Sequence, residues 1–176
     1  MNKQPILEKI EKLNKETENI YSSLEGLNEE DLKNTSCGWS IIQVFSHLNM
    51  AEWASVLYMK KKMNAGDKMP SFSTMSRVRY SFTRGLLQSS LKWKAPSVVS
   101  KPNGNYTLEQ IKEEWANTRK MTKEYVEEYP EELINKAVYK HPFAGRLDLA
   151  GAIDSFIYHQ RHHVHQIKRI RKKIGC

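Results

Sequence analysis

A chain of 176 residues, 39% of them hydrophobic and with mean hydropathy −0.67, reads as one soluble domain over residues 1–176 with enough length to bury a core. It has no run near the roughly 20 apolar residues of a membrane span, and its start, Met1-Asn2-Lys3-Gln4-Pro5, leads into a charged helix rather than a signal segment. Two cysteines, Cys37 and Cys176, exclude a disulfide framework, so the expected location is cytoplasmic.

Helical periodicity dominates, and no stretch alternates convincingly as a strand. The first helix is expected from about Ile6 to Leu27, with Ile6, Ile10, Leu13, Ile20 and Leu24 near helical spacing. A second begins at the N-cap Ser40, with Gln43 completing a capping box, and runs to about Met63. A third begins at Thr107, boxed by Gln110, and stops at Tyr129 before Pro130. The fourth runs from near Asp148 to about Ile174, with Gly175 as its stop signal. The fold class is therefore all-α, a four-helix bundle. Residues 64–105 are too long for a simple connection. They read as a crossover between the second and third long helices, carrying a short extra helix over Ser76–Trp93 and then the extended stretch Lys94–Pro102. Such a crossover can make those two long helices parallel.

The 28 basic and 20 acidic residues give a formal charge of +8 and a sequence pI of about 9.4. That balance admits nucleic acid, acidic lipid or an anionic small molecule as a partner. One basic cluster, Lys168, Arg169, Arg171, Lys172 and Lys173, ends the last helix, where cations offset the macrodipole. The other spans Arg77 to Lys101. No nucleic-acid motif accompanies either cluster, and neither a nucleic acid nor a membrane is the expected partner.

The chemistry is carried by histidines. His159 and His163 are four apart, so on a helix they face one way and can offer two imidazoles to one metal ion. At about 100° per residue, His163 falls within roughly 45° of the apolar direction of the last helix and His159 within about 85°, whereas His162 and His165 point some 150° away. His47 lies at one edge of the buried face of the second helix. A third imidazole from there would complete a three-histidine set and leave a coordination position open, as catalytic metals require. The alternative is a set of ordinary hydrogen-bonded or exposed histidines. The sequence His159-Gln160-Arg161-His162-His163 lacks the Glu of a metalloprotease motif.

Glu52 projects close to the centre of the apolar face of the second helix, a costly place for a lone carboxylate. It is a candidate to receive the ring N–H of a ligating histidine. Alternatively it faces a groove or pairs with a basic residue. Arg146 and Arg161 are candidates to hold an acidic thiol cofactor, against the reading of ordinary surface arginines. Cys37, near a helix start, could have an acidified thiol or be a small buried loop residue. Trp39 reads as a core anchor, and His141 as a structural residue of the turn before the last helix.

Three stretches together resemble the DinB-like (YfiT-like) metal-binding helical bundles. They are Gly38-Trp39-Ser40 through His47-Leu48, Lys140-His141-Pro142-Phe143-Ala144-Gly145-Arg146-Leu147-Asp148, and His159-Gln160-Arg161-His162-His163-Val164-His165-Gln166-Ile167. Their order and separations match, so the resemblance spans nearly the whole chain. It implies a bundle binding a divalent metal, commonly zinc or nickel, through His47, His159 and His163. Members with assigned activities are similar to transferases and isomerases that use low-molecular-weight thiols such as bacillithiol or mycothiol, and others look like metal-dependent hydrolases. Members are often dimers, so a homodimer is allowed here.

A thiol reaching the open position would lose its proton and become a strong nucleophile at neutral pH. A water of lowered pKa could instead attack an amide or ester. The expectation is a metal-dependent, bacillithiol-type S-transferase acting on a small molecule. A hydrolase of the same fold and a non-enzymatic basic binding module are the alternatives. No catalytic side chain is singled out, and three imidazoles suit zinc, nickel, copper or iron.

Overall fold

Why four amphipathic segments close into this bundle is visible in a computed structural model, which describes residues 2–36, 38–64, 68–87 and 100–174. Its helices are α1 (Gln4–Ser22), α2 (Glu29–Lys33), α3 (Ile41–Met63), α4 (Thr74–Leu87), α5 (Leu108–Glu128) and α6 (Leu149–Ile174). Between α5 and α6 lie a 3-10 turn, Glu131–Leu133, and a hairpin of β1 (Tyr139–His141) and β2 (Gly145–Leu147). The all-α class holds, with the hairpin as a small addition.

Helix starts follow their caps. Ser40 and Gln43 exchange side-chain and backbone hydrogen bonds at 3.1 and 3.0 Å, and Thr107 and Gln110 do so at 3.2 and 2.8 Å. Each such box satisfies two amides that a helix start leaves open. At α6 the Asp148 carboxylate accepts the Gly151 amide at 2.8 Å. The first helix ends earlier than its periodicity suggests. Gly26 takes φ +87, and Asn28 opens a new capping box with Asp31, so the segment after Ser22 becomes a turn and the short α2. Leu24 stays buried in that turn, which is why it mimicked a helical position.

The four long helices pack in a ring: α1 on α6, α6 on α3, α3 on α5, and α5 on α1. Two apolar clusters fix their directions. One gathers Ile20 and Leu24 near the end of α1, Ile41 and Ile42 at the start of α3, Ile111 and Trp115 at the start of α5, and Ile167 and Ile170 near the end of α6. The other gathers Ile6 and Ile10, Val56 and Met59, Tyr125 and Val126, and Leu149 and Ile153 from the opposite ends. So α3 runs parallel to α5 and antiparallel to α1 and α6, the arrangement that the long crossover permits. Between the clusters lies a polar layer containing Thr17, Glu52, Thr118, Arg119, Thr122, Gln160 and His163.

The crossover contains α4, which lies along α6 and β2. The expected helix extends past its end to Trp93, and residues 88–99, including most of the expected extended stretch, are outside the described residues. The hairpin was not expected, because two three-residue strands are too short to show alternation. It pairs Tyr139 with Leu147, Lys140 with Arg146, and His141 with Gly145. Its three-residue loop turns back at Gly145, whose φ of +78 suits glycine.

Candidate metal centre

His47 lies almost two turns into α3, placed there by the Ser40 cap, while His159 and His163 lie one turn apart on the facing side of α6. Because α3 and α6 pack against each other, the three rings meet between them. The Nε2 of His159 is 3.2 Å from that of His47 and 3.1 Å from that of His163. A neutral ring nitrogen holds either a hydrogen or a lone pair, so one Nε2 cannot donate to one neighbour while accepting from the other. Metal coordination removes that conflict. Zinc–nitrogen bonds of about 2.0–2.1 Å in a tetrahedron span nitrogens about 3.3 Å apart. Two of the three separations are close to that span, and all three ligand atoms lie within 4.8 Å of one another.

The electrostatics favour lone pairs over protons. His47 and His163 are buried and His159 half-buried. Burial, reinforced by the neighbouring imidazoles, pushes His163 down to about 3 and His159 well below its ordinary range. Gln166 adds direction: its Oε1 lies 2.8 Å from His163 Nδ1. With Nδ1–H donating to Gln166, the Nε2 of His163 is bare and aimed at its partners. The quoted signature contained Gln166, and its spacing of three from His163 on one helix was the signal that it could orient that ring. The sequence reading assigned it no role.

The remaining histidines separate as the helical wheel indicates, with one adjustment. His165 is exposed, but His162 is half-buried with its ring 5.2 Å from that of His163. Trp39 packs on the core and also sets its ring 5.0 Å from His47, so the anchor doubles as a wall of the site.

Glu52 turns to α5 instead of to the histidines. Its Oε1 accepts from Arg119 Nε at 2.9 Å and Thr122 Oγ1 at 2.9 Å; its Oε2 accepts from Arg119 Nη2 and Trp115 Nε1, both at 3.1 Å. Pairing with a basic residue is thus the alternative that describes it. Arg161 points to α1, where it makes a two-pronged ion pair with Glu16, its Nε 2.8 Å from Oε2. Arg146 is exposed and pairs across the hairpin with Lys140, on the face opposite Tyr139 and His141. Neither arginine is brought against the histidines. Cys37 and Cys176 lie outside the described residues.

A groove of about 420 Å³ between α1 and α5, lined by Asn14, Thr17, Tyr21, Trp115 and Arg119 among others, lies across the bundle from the histidines. Its one deep cation, Arg119, is already held by Glu52 and Asn14.

A family model described as the DinB superfamily matches residues 12–167, a span that contains all three converging histidines. The chain belongs to the DinB superfamily. No curated protein and no solved structure matches it. The DinB match stops before Lys168, so the basic end of α6 lies outside it. Among the described residues no helix is long and apolar enough to cross a membrane.

Proposed function

We propose that the chain is a divalent-metal-dependent enzyme, a cytoplasmic S-transferase that uses a low-molecular-weight thiol of the bacillithiol type. His47, His159 and His163 hold the ion, zinc or nickel. The observation that carries this reading is the convergence of three Nε2 atoms, with burial disfavouring a proton on two of the rings, His159 and His163. Such an ion supplies Lewis acidity, which draws a thiol to its nucleophilic, deprotonated form at neutral pH.

The chain's own residues do the positioning. Gln166 fixes the His163 ring, and Trp39 shields His47 on one side. Three neutral imidazoles leave the ion its full charge and one position for a small molecule. In the transfer, the thiol proton would leave to solvent, and the sulfur would bond to an electrophilic carbon of the second substrate. That carbon's bond to a leaving group such as a halide would break as the new one forms, and the group would depart with the bonding electrons.

Metal content by plasma mass spectrometry, beside His47→Ala, His159→Ala and His163→Ala, tests the centre. About one equivalent, lost in each variant, is expected. No metal after reconstitution rejects the proposal. Loaded protein that hydrolyses esters or amides without thiol would replace the transferase by a hydrolase. Loaded protein that neither binds nor conjugates thiols rejects the transferase.

A further inference from the structure

The hairpin carries a fourth imidazole that the proposed chemistry leaves unused. Tyr139 and His141 are two apart in β1 and share a face. That face looks into the bundle: the Tyr139 hydroxyl is 2.8 Å from Ser55 Oγ on α3, and its ring lies 6.4 Å from Phe156 on α6. Phe156 is one turn before His159, and Ser55 is about two turns after His47. The His141 ring lies 6.0 Å from that of Tyr139, and a charge on it would disfavour one on His159.

Its own loop fixes its proton. The Nδ1 of His141 accepts the backbone N–H groups of Phe143 at 3.1 Å and Ala144 at 3.0 Å. With Nδ1 occupied as an acceptor, the neutral ring carries its hydrogen on Nε2. Burial pushes this imidazole down to about 4, so the neutral form prevails at pH 7. Among the described residues nothing accepts the Nε2 hydrogen.

We propose that the Nε2–H of His141 donates a hydrogen bond to the exogenous ligand that completes the three-histidine site, selecting an anionic acceptor such as a thiolate. The inference rests on the metal reading given above. A ring whose tautomer is locked by two amides offers only a donor there, so a deprotonated sulfur or oxygen is favoured over a ligand that arrives with its own N–H. The loop motif thus contributes to ligand recognition as well as to the turn.

The test uses cobalt(II)-loaded protein and azide, followed by the visible bands of the ion. His141→Asn keeps a side-chain acceptor for the turn amides and removes the Nε2 donor. Expected are unchanged cobalt stoichiometry and azide affinity weaker by about tenfold, the loss of one charge-assisted hydrogen bond. Unchanged azide affinity overturns the inference and leaves the metal centre standing. Loss of cobalt along with azide overturns it too, by making His141 a support of the site. Wild-type protein that takes up no cobalt removes the metal reading itself. If the variant does not fold, ¹⁵N-histidine spectra of the zinc-loaded wild type decide: the His141 Nε2 proton should move downfield on adding azide, and a stationary signal overturns the proposal.

Discussion

Two polar clusters flank α3 near the middle of the bundle, and the chain completes one of them by itself. On the α5 side, Glu52 offers two carboxylate oxygens and receives four donors from Arg119, Trp115 and Thr122. On the α6 side, the Nε2 of His159 lies within hydrogen-bond distance of two other imidazoles and cannot donate to one while accepting from the other. Both clusters bear the cost of burying polar groups. The first recovers that cost within the chain and so ties α3 to α5. In the second, a bound cation would remove the competition at His159 Nε2, which is the physical contrast between a structural network and a candidate binding site.

Breaking the closed cluster should produce the largest effect. Glu52→Ala leaves the Arg119 guanidinium buried without its counter-charge, and a loss of about 3–5 kcal/mol in urea unfolding is expected. Metal uptake at low temperature should persist in that variant, since no histidine touches Glu52. Loss of metal in an otherwise folded Glu52→Ala protein would show that the two clusters act as one.

The open cluster should respond to ligand where the closed one does not. Zinc at a hundred times its dissociation constant should stabilise the wild type by about 2.7 kcal/mol, and His159→Ala should remove that increment. Thermal unfolding with and without zinc measures both. A variant that keeps the increment would place the ion elsewhere. Gln166→Leu separates holding from aiming: the three imidazoles remain, but His163 loses the partner that fixes its tautomer. Zinc affinity should fall by roughly 10–100-fold in a competition titration. An unchanged affinity would mean that packing alone aims the ring.

Most of this contrast was legible in the sequence because helix faces are set by spacing. Ser40 and Thr107 fix where α3 and α5 start, and those starts fix which way His47 and Glu52 project. The same spacing put His159 and His163 on one face. Partners across the bundle were not legible: nothing local says that Arg119, rather than a histidine, meets Glu52, because they are 67 residues apart and meet only through α3–α5 packing. The hairpin escaped because its order comes from a three-residue loop and the Nδ1 of His141, neither of which leaves a periodic trace. Leu24 misled for the opposite reason, keeping a core position after the helix had ended.

The smallest expected effect concerns Arg161, a candidate from the sequence to hold an acidic thiol cofactor. On α6 it projects to α1 and pairs with Glu16, with its side chain 36% exposed. An ion pair that wet contributes little, so Arg161→Ala should cost about 0.2–1 kcal/mol of stability, shrinking further in salt. Because the guanidinium is held away from α3, thiol affinity of the metal-loaded protein should not change with this substitution. A weakened thiol affinity, restored by Arg161→Lys, would mean that the Glu16 pair opens in the working protein. The division between a closed structural network and an open site would then run through α6 itself.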